Sequence, residues 1–176
     1  MLIRPARPAD SEDLRAIERS AGIRFEDAGM HWVASHEPMS AEELERFARA
    51  GRSWVAVGED GRPVGYAVVE VLDGCAHIEQ VSVELEHQGR GVGGALMREV
   101  EAWAAGRDLG ALTLTTFSDV AWNRPLYEHL GFSVVSEEEL SPGLVAVREE
   151  ETARGLDRVA RVCMRKAVAR VPEAPA

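Results

Sequence analysis

The segment His87-Gln88-Gly89-Arg90-Gly91-Val92-Gly93-Gly94 places four glycines within six residues and opens onto an apolar helical stripe. Glycine lets backbone N–H groups approach an anion with no Cβ in the way. The first turn of the following helix adds unsatisfied N–H groups and a positive dipole end. Strand, glycine loop and helix together make a pyrophosphate cradle, to which Arg90 can add a charge-assisted contact. Other side chains able to do chemistry are a phenol, Tyr127, and two polar residues on one strand, His77 and Glu79. With period-two alternation, His77 and Glu79 share a strand face.

Taken alone, Gly89, Gly91 and Gly94 also fit the GxGxxG dinucleotide fingerprint. A Rossmann unit sets those glycines directly behind a strand within a βαβ repeat. Here residues 84–88 intervene, an antiparallel meander precedes the loop, and no second βαβ unit follows. Asp119 stands at a tolerable distance for a ribose contact, so a nicotinamide-dinucleotide protein is the distant alternative. No Gly-Lys-Ser/Thr is present, which excludes a Walker loop.

The elements that must position these residues follow from pattern. Residues 2–4 read as a first strand. Asp10 is placed to cap a helix with Leu14, Ile17 and Ala21 on one face. Residues 22–39 show no period. Ser40-Ala41-Glu42-Glu43 is a capping box before Leu44 and Phe47. Strands at 53–58, 64–72 and 76–83 are joined by Asp60-Gly61 and Asp73-Gly74, both hairpin signals. After the loop, Val92, Leu96, Val100 and Trp103 form one helical stripe. A strand at 111–116, a short helix at 123–130, a strand at 132–135, a helix at 144–154 and a strand at 159–164 follow. The fold class is α/β, with a mixed, mostly antiparallel central sheet of about six to seven strands flanked by helices.

Two spaced motifs resemble the GCN5-related N-acetyltransferase (GNAT) superfamily. Gln88, Gly91 and Gly93 match its Gln/Arg-x-x-Gly-x-Gly/Ala loop, and Leu126-Tyr127-Glu128-His129-Leu130-Gly131-Phe132 matches its Leu-Tyr-x-x-x-Gly-Phe segment. The interval between them, one helix and one strand, is also the family's. The resemblance implies a single domain over residues 1–170, an acyl-CoA N-acyltransferase fold, and acetyl-CoA as cosubstrate. It implies coenzyme contacts from Val81, Ser82 and Val83 and from Gln88, Gly89, Arg90, Gly91, Val92, Gly93 and Gly94. Where the family often carries Asn, seven residues before the tyrosine, this chain has Val120, and Asn123 is the candidate to take over that contact. Implied roles are Tyr127 as acid toward the departing thiolate and Glu79 as base, with His77 as alternative or helper. Phe25, Met30, His31 and Trp32 fall in the segment that covers the acceptor site, where they either line a pocket or pack an irregular loop. The reaction implied is direct attack by a primary amine, from a small molecule or a peptide. A non-catalytic acyl-CoA-binding regulatory module is the other reading.

Composition limits the classes. With 176 residues the chain suits one domain, and 45% hydrophobic residues suit a packed core. A net charge of −10 with dispersed basic residues argues against a nucleic-acid surface. No apolar run approaches the roughly 20 residues that span a bilayer. The polar N-terminus does not read as a secretory signal, and none is expected. The expectation is a cytoplasmic protein without a metal, since Cys75 and Cys163 lack ligand spacing. A homodimer is compatible with the resemblance, and residues 171–176 read as a loose tail.

Overall fold

The computed structural model describes residues 1–169. The tail expected at 171–176 lies outside the described residues. The strands are β1 (Leu2–Pro5), β2 (Ser53–Val57), β3 (Pro63–Leu72), β4 (Cys75–Val83), β5 (Ala111–Phe117), β6 (Ser133–Val134) and β7 (Arg161–Ala167). The helices are α1 (Ser11–Gly22), α2 (His31–Ala34), α3 (Ala41–Arg49), α4 (Val92–Ala105), α5 (Asn123–His129) and α6 (Pro142–Ala153). The strands form one seven-stranded sheet in the order β1-β2-β3-β4-β5-β7-β6. Pairing is antiparallel for β1 with β2, β2 with β3, β5 with β7 and β6 with β7. The parallel ladder of β4 with β5 joins Ala76 to Leu112 and His77 to Thr113. This is the mixed, mostly antiparallel sheet flanked by helices that the pattern implies.

Contacts divide the described chain into two compact units. One holds residues 1–69 and 79–100, the other residues 70–78 and 101 onward. The core of the first is Ala6, Leu14, Ile17, Leu44, Phe47, Val55, Tyr66 and Val68. Each large side chain buried there contributes about 1.5–3 kcal/mol. α3 starts as its sequence dictates: Ser40 Oγ accepts from Glu43 N, and the Glu43 carboxylate accepts from Ser40 N at 3.1 Å. Asp10 behaves differently from the expectation. It makes no cap bond to α1. Its carboxylate instead accepts from Arg7 N at 2.7 Å and pairs with Arg4 at 2.8 Å, which tightens the 3-10 turn Pro8–Asp10. The Arg4 guanidinium on β1 and the Arg7 N–H at the start of the turn together draw the carboxylate away from the α1 terminus.

In the second unit the antiparallel β5–β7 ladder runs from Ala111 opposite Ala167 to Phe117 opposite Arg161. The Asp73-Gly74 turn has φ of 49° and 72° at its two residues, as a two-residue hairpin loop requires. Ser141 Oγ accepts from Leu144 N and Pro142 opens α6, so that helix begins two residues before its periodicity suggests. The strand expected at 132–135 is reduced to Ser133 and Val134. The last strand begins at Arg161, after the 3-10 turn Leu156–Arg158.

Candidate functional site

The glycine loop belongs to the first unit. After Val83 the chain makes a 3-10 turn, Leu85–His87, and enters α4 when Ala95 N donates to Gly91 O at 3.0 Å. Gly89 and Gly91 have φ of +72° and +80°, a region closed to most side chains. A Cβ at either position would meet nothing within 4 Å. These glycines therefore answer to backbone conformation and leave open space above the loop. No hydrogen bond occupies the N–H groups of Gly89, Arg90 or Gly91 among the described residues. Arg90 is exposed, whereas Val92 is buried and anchors the start of α4. Unbonded backbone donors at a helix start, with open space around both glycines, fit a pyrophosphate.

Beneath the loop, packing is tight. A Cβ on Gly65 would stand 3.0 Å from Val92 Cγ1, 3.1 Å from Ser82 O and 3.3 Å from Val83 Cγ2. Gln88 turns its side chain back, and its Nε2 donates to Val83 O at 3.0 Å. Gln88 Oε1 accepts from Arg24 at 3.2 Å. Leu85 N donates to Ser20 Oγ at 3.1 Å, so the end of α1 and the turn behind it hold the loop at two points. Gly93 and Gly94 lie in the first turn of α4. Of the strand residues, Val81 and Val83 are half-buried. Ser82 is buried, its Oγ accepting from Gln80 Nε2 at 2.8 Å and bonding to Tyr66. The Tyr66 hydroxyl donates to Glu18 at 2.5 Å. Burial, and then the Glu18 charge, hold this phenol well above its ordinary pKa.

Glu79 is exposed on β4 in the same unit. His77, two residues earlier and in the second unit, is only 2% exposed. Its Nδ1 lies 3.0 Å from Thr113 Oγ1. Burial lowers its pKa to about 4, against the opposing charges of Glu151 and Glu70. The imidazole is thus neutral at ordinary pH and enclosed, while Glu79 reaches solvent. Shared strand parity does not give the two residues a shared environment.

Tyr127 lies on α5 with its ring edge-on to Phe132, centroids 6.0 Å apart and planes at 74°. Part of the residue reaches solvent, yet the phenol is packed deeply enough that burial pushes its pKa up to about 12, with the Arg161 charge opposing. It is a proton donor that stays loaded at neutral pH. Asn123 is buried at the start of α5, and Val120 is a buried apolar residue. Behind β5 and β7, Glu151 on α6 accepts from Thr115 Oγ1 and Arg148 and pairs with Arg161 at 2.7 Å. Burial alone would raise its pKa. The charge of Arg161 and the bonds from Thr115, Arg161 and Arg148 outweigh that and hold it low.

Of the residues expected to cover an acceptor, Met30 is 5% exposed and belongs to the packing. Phe25 and Trp32 are half-buried and His31 is exposed. They sit on a 3-10 turn and the single-turn α2, local structures too short to show a period. Pattern reading passed over Arg24 and Ser20, because a contact to residues more than sixty positions away leaves no mark in local spacing.

Comparison with known proteins bears on the family and the fold. A family profile described as the acetyltransferase (GNAT) family matches residues 14–132. An uncharacterized N-acetyltransferase, YjcF of Bacillus subtilis, is 29% identical over 108 residues, spanning 61% of this chain and 74% of that protein. Among solved structures, N-acetylglutamate synthase from Neisseria gonorrhoeae, complexed with coenzyme A and N-acetyl-glutamate, superposes with a TM-score of 0.73 at 20% identity. That match covers 96% of this chain but spans only 35% of the synthase. The PaiA N-acetyltransferase of Thermoplasma acidophilum, in complex with coenzyme A, gives a TM-score of 0.70 at 16% identity, covering 94% and 98% of the two chains. The chain belongs to the acetyltransferase (GNAT) family, and is an acetyl-CoA-dependent acetyltransferase. Among the described residues, no helix is long and apolar enough to cross a membrane.

Proposed function

We propose that the loop from Gln88 to Gly94 binds the pyrophosphate of acetyl-CoA, and that the protein moves the acetyl group directly to a primary amine. The observation that carries this reading is the pair of left-handed glycines, Gly89 and Gly91, with open space above them at the start of α4. In this scheme the amine nitrogen attacks the thioester carbonyl carbon. The C–S bond breaks as the tetrahedral intermediate collapses, the nitrogen loses a proton, and the thiolate gains one. Tyr127 supplies the proton to the thiolate, which its protonated phenol suits. Glu79, exposed on β4, takes the ammonium proton directly or through water. His77 is enclosed and neutral, and its geometry suits a packing role better than that of a base. Asn123 and the β4 backbone at Val81, Ser82 and Val83 are the further coenzyme contacts in this reading. The acceptor enters against the segment carrying Phe25, His31 and Trp32. Both thiols, Cys75 and Cys163, are free, which suits a reducing cytoplasm.

The test is calorimetric titration of the protein with acetyl-CoA, with NADH as control, followed by thiol release across a panel of primary amines. Saturable binding of acetyl-CoA alone is expected, and Gly91→Glu should abolish it by setting a side chain and a negative charge against the pyrophosphate. Tyr127→Phe should slow thiol release while leaving acetyl-CoA affinity in place. Undiminished binding by Gly91→Glu would put the phosphates elsewhere.

A further inference from the structure

The segment from Glu84 to Gly91 holds two carboxylates, Glu84 and Glu86, against one guanidinium, Arg90. Glu84 is engaged with His87 at 3.2 Å, and Arg90 is exposed to water, which screens it. A polyanion approaching this loop therefore gains little from the loop's own side-chain charge, in a protein whose net charge is −10. The fold brings a cation from elsewhere. Arg24, in the 3-10 turn Ile23–Phe25 directly after α1, lies 64 residues away in sequence and donates to Gln88 Oε1 at 3.2 Å. Gln88 is itself fixed by its bond to Val83 O, and Ser20 on α1 accepts from Leu85 N, so the turn that carries Arg24 is pinned to the loop.

We propose that Arg24 is a coenzyme-binding residue whose guanidinium adds to the phosphate contacts of the glycine loop. The proposal rests on the reading of that loop as the pyrophosphate site. A guanidinium is a fixed fork of N–H donors that matches phosphate oxygens, and the bond to Gln88 holds that fork beside the loop. Its half-buried position shields it from solvent more than Arg90 is shielded, so its charge acts at closer to full strength. Because Arg24 sits at the head of the segment bearing Phe25, His31 and Trp32, phosphate contact there also steadies the chain that meets the acceptor.

The experiment compares acetyl-CoA with S-acetylpantetheine, which has the same thioester arm and no phosphate. Binding of each is measured to the full chain, to Arg24→Met, which keeps the aliphatic stem, and to Arg24→Lys, which keeps the charge. Arg24→Met is expected to bind acetyl-CoA about tenfold more weakly, the scale of one charge-assisted hydrogen bond. Its affinity for S-acetylpantetheine should be unchanged, and Arg24→Lys should recover part of the loss. Equal weakening toward both thioesters would show that Arg24 only props up Gln88, and would overturn the proposal. Undiminished acetyl-CoA binding by Arg24→Met, while Gly91→Glu abolishes it, would overturn the proposal and leave the loop reading standing. Retained binding by Gly91→Glu would overturn both.

Discussion

Replacing Glu151 by Gln should cost more stability than any exposed charge change in this protein. The Glu151 and Arg161 side chains are 10% and 11% exposed and meet at 2.7 Å. Arg161 also donates to Thr115 Oγ1 at 2.9 Å and lies over the Phe117 ring at 4.5 Å, which leaves it little room to turn toward water. Removing the carboxylate charge strands this guanidinium near a second one, Arg148. Breaking a buried pair from one side costs about 3–5 kcal/mol. Arg148 is 23% exposed and can swing outward, so the lower end applies, about 3 kcal/mol. For a chain of this length that corresponds to a melting temperature lower by about 6–12 °C. The assay is urea and thermal unfolding at pH 7, with Arg161→Met and the double variant Glu151→Met/Arg161→Met completing a cycle. The double variant should be less destabilised than Glu151→Gln, since it leaves no unpaired buried charge. The pH dependence follows from the depressed pKa of Glu151. Its contribution is present above the unfolded value of 4.5 and is lost as pH falls through the folded value, so wild type and Glu151→Gln should converge in acid. A cost under about 1 kcal/mol at pH 7 would show that the pair behaves as a solvated surface pair, and the argument would fail.

The two tyrosines, Tyr66 and Tyr127, should both resist ionisation: at pH 10.5 native protein should show almost no tyrosinate absorbance near 295 nm, and unfolding should release it. Because both folded pKa values are raised, the associated stability is present below pH 10, the unfolded value, and is lost as pH rises through the folded values. A native titration of either phenol near pH 10 would refute this. His77→Gln should lower stability by about 1–3 kcal/mol through the lost Thr113 bond and imperfect packing, while turnover at a permissive temperature changes by less than about threefold. A loss of about a hundredfold or more in turnover would restore His77 as the base. Its depressed pKa also predicts that folding stability falls between the unfolded value of 6.5 and about pH 4, where only the unfolded chain takes up the proton, and His77→Gln should flatten that part of the stability curve.

Most of the sheet was legible because its signals are local. The Asp73-Gly74 turn needs two residues of positive φ, and the Ser40 to Glu43 capping box closes within one helical turn. Asp10 misled for a physical reason. A carboxylate near a helix start reads as a cap, but Arg4 and the N–H of Arg7 compete for it, and the pairing across six residues with Arg4 is not a helical spacing. Residues 22–39 showed no period because the structure there is made of single turns, none long enough to repeat.

The candidate site divides along the same line. On the proposed reading the loop binds through backbone N–H groups, and the conformation this needs shows in the sequence as glycines, Gly89 and Gly91. Side-chain chemistry announces only residue type. His77 and Glu79 lie two apart on β4 and share a face by parity, yet one is enclosed against Thr113 and the other meets water. Burial is a property of what packs against the strand, and the strand's own sequence does not contain it. The same holds for charge. A chain of net charge −10 gives no hint of affinity for a polyphosphate, because that affinity depends on which cations the fold delivers to one loop. Arg24 reaches Gln88 only because α1 ends beside the loop, where Ser20 takes the Leu85 N–H. The contribution of a single buried or half-buried charge at such a point outweighs many screened ones elsewhere on the surface, which is why local placement decides what an acidic protein can bind.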